Sequence, residues 1–227
     1  MSDTRVDLMI NSDIELHFPK LRVLTSQITN VKVRKQNAEL EEFKNELTNK
    51  VKKQYNLDSL KDEASFRAYR DFFWKVGVDP TKNRPAVEAL VRRILRGENL
   101  PCINTLVDAY NLASIKTEIA LASFDADKLI GTLLMRVAKI GEEFMGIGMS
   151  KSMILQGYEV VISDEEKLVA IYPYRDADDT KVTEKTRSVL LLICGVPRIS
   201  EESLRNARHV AIEFITRFCG GEGRVIE

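Results

Sequence analysis

Residues 178–197 read DDTKVTEKTRSVLLLICGVP, and the architecture turns on them. Val189 to Cys194 is continuously apolar, without the alternation that marks a half-exposed strand. Such a run suggests a strand covered on both faces. Downstream, Ser200 followed by Glu201 and Glu202 makes a capped, dipole-compatible start for a final helix. Leu204, Ala207, Ala211, Phe214, Ile215 and Phe218 give that helix its core face. Upstream, YPYRDADDTKVTEKTR (172–187) is a charged turn that connects the apolar strand to a hairpin. That hairpin runs from Glu159 to Ile162 and returns from Leu168 through Tyr172.

Further out, Leu133 to Val137 reads as another strand, and helices precede it. Asn104 to about Thr117 is one helix. Val87, Leu90, Val91, Ile94 and Leu95 supply the buried face of another, with Pro85 in its first turn and Gly97 closing it. Phe66, Tyr69, Phe73 and Val76 keep helical spacing up to Gly77, a residue suited to the left-handed conformation after a helix. Leu40, Phe43, Leu47 and Val51 mark an amphipathic helix over Ala38 to Tyr55. Before it, Ile14, Leu16 and Phe18 alternate with polar neighbours and Leu21 to Leu24 forms a second short run, which together predict two strands. Helices early, strands late and one closing helix indicate an α/β (α+β) domain, a mixed β-sheet flanked by helices. Residues 66–227 are expected to form the main domain, and residues 1–65 an N-terminal strand and helix extension packed on it.

The chain has 227 residues, enough for a substantial core, with 44% hydrophobic and 30% charged residues. Lys and Arg number 34, as do Asp and Glu, so any grip on nucleic acid must come from a local patch. Cys102, Cys194 and Cys219 are odd in number and far apart, which describes no disulfide framework and fits a reduced compartment. The opening MSDTRVDLMINSD places charges where a secretory peptide needs an apolar core, and no stretch is long enough to span a bilayer. A cytoplasmic protein without membrane association is expected.

Two constellations are candidates for chemistry. Asn104, Asp108 and Asn111 line one stripe of a helix beside buried neighbours; they serve either as a ligand pocket or as a satisfied structural network. Arg175, Asp176, Thr180, Lys181, Thr183 and Thr186 lie in the turn before the apolar strand. There they can hold a carboxylate, a phosphate or an acyl ester, or be solvated. The expectation is a concave pocket shared by the stripe and the turn. Arg84, Arg92 and Arg93 offer a basic surface for phosphates or a solvated helix face. No metal and no cofactor is expected: His17 and His209 match no ligand spacing, GIGMSKS lacks the GK[ST] ending of a phosphate loop, and no serine sits in a nucleophile elbow.

The segments YRDFFWKVGVDPTKNRPAVEALVRRIL, LPCINTLVDAYNLASIKTEIALASFDADKL and DDTKVTEKTRSVLLLICGVP resemble, in order and spacing, the B3/B4 module of the phenylalanyl-tRNA synthetase beta subunit in its free-standing form. The resemblance covers most of the chain after Phe66. It implies a B3/B4-like fold, with tRNA or aminoacyl-tRNA as partner and hydrolysis of the ester of misacylated tRNA by a bound water. The alternative is non-catalytic binding of a free amino acid or related small ligand, and a scaffold acting through the N-terminal helix ranks third. Aligned with the bacterial synthetase, this chain has Ala122 in place of a histidine and Leu192 in place of an acid. Any hydrolysis would then rest on a water positioned by backbone groups and hydroxyls such as Thr183 or Thr186. The resemblance names no catalytic residue, amino acid, tRNA or oligomeric state.

Overall fold

A computed structural model describes residues 6–226. The apolar run forms β10 (Val189–Cys194), buried along its whole length. It is an interior strand of a four-stranded antiparallel sheet that also contains β2 (Val23–Thr29), β3 (Ala120–Asp125) and β11 (Glu222–Ile226), in the order β11-β2-β10-β3. Val189, Leu191 and Ile193 enter one hydrophobic core, and Leu190, Leu192 and Cys194 enter another. This two-sided burial is what an unbroken apolar strand requires.

The first core is closed by α2 (Ala38–Gln54), α4 (Ala86–Leu95), α5 (Thr105–Thr117) and α6 (Glu201–Cys219). Each begins with a local signal. Asn37, Asn104 and Ser200 accept from helix amides through their side chains, and Pro85 precedes α4. The second core is covered by α3 (Ala64–Lys75) and by a five-stranded sheet. That sheet contains β1 (Leu8–Ile10), β4 (Leu133–Val137), β7 (Val160–Ser163), β8 (Leu168–Ile171) and β9 (Arg175–Asp176), in that order, with only β1 and β4 parallel. Gly77 ends α3 at φ +70°, and the amide of Val78 donates to the Phe73 carbonyl at 2.8 Å. A short ribbon of β5 (Glu143–Phe144) and β6 (Met153–Ile154) leans on β9 through a bridge between Gly146 and Ala177. The mixed α/β class holds, with the strands divided between sheets.

Three expectations change. Ser12–His17 is a short helix, α1, where a strand was expected. Asn11 caps it, Ile14 is buried with Phe18 packed on the same core, and Leu16 is 77% exposed, so the alternating residues do not share one buried face. The second N-terminal strand, β2, extends to Thr29 and lies between β10 and β11; residues 1–65 therefore supply an interior strand of the sheet. Strands β3 and β11 were not anticipated. No helix among the described residues is long and apolar enough to cross a membrane.

Two buried polar devices hold α3 and α4. Tyr69 donates its hydroxyl to the Cys194 carbonyl at 2.6 Å and accepts from the Ala120 amide at 3.0 Å, bridging the ends of β10 and β3. Glu88, fully buried, receives Arg70 at 3.2 Å and Arg92 at 2.8 Å. Tyr69→Phe leaves a buried amide and carbonyl without that partner and is expected to cost about 1–3 kcal/mol in denaturant unfolding. Glu88→Ala leaves two guanidinium groups facing each other and is expected to cost about 3 kcal/mol or more. A loss under about 0.5 kcal/mol for either would contradict its assigned role.

Candidate functional site

Strand β3 is the edge of the four-stranded sheet, and its outer side faces the segment that leaves β8. Hydrogen-bond parity decides which main-chain groups point outward. The Ala126 amide reaches Ser188 beyond the end of β10 at 2.9 Å, whereas the Asp125 amide turns away to Thr180 at 2.9 Å. In an antiparallel ladder this alternation continues along the strand, so Ala122 and Phe124 bond to β10 while Leu121 and Ser123 present N–H and C=O outward.

A cavity of about 110 Å³ lies between that edge and Ile171 to Asp176. Ala120, Ala122, Phe124, Ile162, Ala170 and Leu192 give it apolar walls, and Tyr174, Arg175 and Asp176 close the far side. Ala122 and Leu192 are direct partners in the ladder and share one wall of the cavity. Leu121 also lines the cavity although its side chain packs in the opposite core, which leaves its main chain as the contributing part. Exposed Ala86, at the start of α4, forms the rim.

Asp176 is the ionisable group that stands apart. Burial pushes its carboxyl up to about 7, with no hydrogen bond or ion pair opposing the shift. The neighbouring guanidinium does not serve it: Arg175 lies 5.2 Å over the Tyr174 ring and donates to the Ile147 carbonyl at 3.3 Å. Burial raises the Cys194 thiol well above its ordinary range, and the Asp176 charge adds to that; the thiol is therefore a poor nucleophile. Burial likewise raises the Tyr110 phenol, with Asp176 again adding. The Ser123 hydroxyl, on the α5 side of β3, is buried close to the Tyr110 phenol and opposes that shift.

The remaining sequence candidates are placed elsewhere. Asn104 caps α5 through bonds to Leu106 and Val107 at 3.1 and 3.0 Å, and its amide group touches the Val182 carbonyl at 3.5 Å. Asp108 accepts from the Ile103 amide at 3.0 Å and from Lys44 at 3.1 Å, while Asn111 borders a separate void beside it. The stripe and the turn thus do not share one pocket, because Asp108 faces α2. Thr186 donates to Asp125 at 2.7 Å and accepts from the Thr183 amide at 2.9 Å, so both residues shape the turn outside the cavity. Thr180 is buried and Lys181 pairs with Asp178 at 2.8 Å. Arg92 pairs with buried Glu88, and Arg93 donates to the Asn99 carbonyl and pairs with Glu98 at the surface. Arg84 is exposed, two residues before the rim at Ala86. Glu41, Cys102 and Asp108 offer ligand atoms within 4.8 Å of one another. The Lys44 ammonium already sits against both carboxylates: burial lowers its pKa, but bonds to Glu41 and Asp108 outweigh that and raise it. A metal ion would have to displace that ammonium.

Comparison with known proteins identifies the family. The family model described as the B3/4 domain matches residues 68–220. The phenylalanine-tRNA ligase beta subunit of Bartonella henselae is 32% identical over 144 residues, 53% of this chain and 18% of the relative. That of Fusobacterium nucleatum is 31% identical over 97 residues, 43% of this chain and 12% of the relative. The chain thus spans less than a fifth of the length of these relatives. An N-terminal fragment of the phenylalanyl-tRNA synthetase beta subunit from Pyrococcus horikoshii superposes with a TM-score of 0.54 over 97% of this chain and 51% of the fragment, at 13% identity, which shows a common fold. The match over residues 68–220 takes in most of α3, all of α4 to α6, β10 and every wall of the cavity: the chain belongs to the B3/B4 domain family.

Proposed function

We propose that this chain binds the aminoacyl end of charged tRNA, with the amino-acid side chain in the cavity between β3 and the Ile171 to Asp176 segment, and that it hydrolyses the ester of mischarged tRNA in trans in the cytoplasm. One observation carries the reading: the cavity is apolar where a side chain would lie, and it is bounded by an outward-facing strand edge that can hold a carbonyl or a water. Its relatives are beta subunits of enzymes named for phenylalanine and tRNA, which supports an aminoacyl group as the guest. The chain carries no net charge, so phosphate contacts are local, and Arg84 beside the rim with Arg175 in the wall are the cations placed for them.

A second reading, non-catalytic binding of a free amino acid, is favoured by Ala122 and Leu192. Neither can act as an acid or a base, and nearby Thr183 and Thr186 are engaged in their turn. Deacylation of a panel of charged tRNAs separates the two readings. Faster release of at least one amino acid than in buffer supports hydrolysis; tight binding without release supports the second reading.

Two variants test the placement. Ala86→Trp puts a large ring at the rim without entering the core, so affinity for charged tRNA is expected to fall to that for uncharged tRNA, with uncharged binding unchanged. Arg84→Ala and Arg175→Ala are each expected to weaken tRNA binding and to reduce the salt slope by about one. Filter binding at several salt concentrations measures both, and tRNA binding that ignores salt would contradict the assignment of these cations.

A further inference from the structure

Most of the cavity wall is apolar, and two polar features without partners face it from opposite sides, Asp176 on the far wall and the Leu121 main chain on the β3 edge. The Asp176 carboxylate has no hydrogen bond or ion pair among the described residues. Leu121 faces the same space with main-chain N–H and C=O that neither β10 nor any other backbone group engages. An unpaired carboxylate in an apolar cavity is costly for a fold to keep, and so is an unpaired strand edge. A ligand that neutralises both must carry a cationic donor and a carbonyl acceptor. An α-amino acyl group has that arrangement, with ammonium and carbonyl on the same carbon.

We propose that Asp176 and the Leu121 main chain form a head-group clamp, the protonated α-amine of an aminoacyl ligand on the Asp176 carboxylate and its carbonyl oxygen on the Leu121 amide. The cavity therefore accepts acyl groups with a free amine and rejects N-acylated ones, in which the amine is neither charged nor small. This deepens the aminoacyl reading and rests on it. Arg175 does not compete for the carboxylate, since its guanidinium is held over Tyr174 and on the Ile147 carbonyl. The apolar remainder, Ala122, Ala170 and Leu192, offers no polar partner to the ligand's side chain, which selects aliphatic or aromatic hydrocarbon groups.

The test compares tRNA charged with leucine or phenylalanine, the same tRNA after N-acetylation, and uncharged tRNA, in equilibrium binding to the wild-type chain and to Asp176→Asn. The wild type is expected to prefer a free-amine form over its N-acetyl form by about tenfold or more, the scale of a charge-assisted hydrogen bond. Asp176→Asn should bring the two to within about twofold. The variant should fold at least as well, because it removes a part-buried unpaired charge, and thermal unfolding above pH 7 checks this. Lowering the pH from 7 to 6 should weaken wild-type binding of the free-amine form by about fivefold, since Asp176 with its carboxyl near 7 becomes protonated, and should leave Asp176→Asn unchanged. The titratable groups facing it, Cys194 and Tyr110, are pushed up by burial and stay neutral across that interval. Equal wild-type affinity for free-amine and N-acetyl forms, or an intact preference in Asp176→Asn, overturns the clamp while charged tRNA still outcompetes uncharged. Equal affinity for all charged and uncharged forms overturns the aminoacyl reading itself.

Discussion

Both hydrophobic cores meet at β10, whose six side chains alternate between them while its main chain pairs with β2 on one edge and β3 on the other. Each large side chain buried there contributes about 1.5–3 kcal/mol, and a shift of one residue would carry every one of them into the wrong core. The register of β3 is therefore not free to slip. Because β3 is the last strand of its sheet, that register also fixes which of its main-chain groups look outward. The site is thus a consequence of the core: Ala122 and Leu192 stand opposite each other because the ladder holds them, and Leu121 faces the cavity because its neighbours face β10.

The other wall depends on a different constraint. The chain leaving β8 is pinned where Tyr172 donates to the Gly195 carbonyl at 2.6 Å, just past the end of β10. Tyr69 holds the adjacent strand ends in the same manner. Two buried phenols thus tie the second sheet and α3 to the first sheet, and the cavity is the space left between these anchors. Its electrostatics follow from that construction. Asp176 is carried into low-dielectric surroundings by its strand, while Arg175, one residue away, points to the opposite side of the pleat and finds an aromatic face and a carbonyl instead.

Much of this was legible in the sequence. Helices α2 to α6 and strands β4, β7, β8 and β10 announce themselves through spacing, caps and apolar runs, and segments quoted from the sequence identify the family. What was hidden shares a physical cause. ALASFD, which forms β3, has small side chains and little β-branching, so nothing in its pattern distinguishes a buried strand from the end of the preceding helix. The terminal strand β11, in which only Val225 and Ile226 are apolar and Gly223 has no side chain to pack, is held by pairing with β2. Within the candidate site, Arg175 and Asp176 were visible as a charged turn, but their separation into one engaged and one unengaged charge requires three-dimensional contacts. Asp108 shows the converse: a buried acid on a helix suggested a ligand, and Lys44, 64 residues away in sequence, satisfies it.

An aminoacyl group is proposed to occupy the cavity between β3 and the Ile171 to Asp176 segment. The most direct test is a crystal structure with an amide-linked, non-hydrolysable 3′-aminoacyl adenosine. The predicted result places the amino-acid side chain against Ala122, Ala170 and Leu192, with its amine within hydrogen-bond distance of Asp176 and the adenosine leaving past Ala86. An analogue bound at another surface with this cavity empty would contradict it.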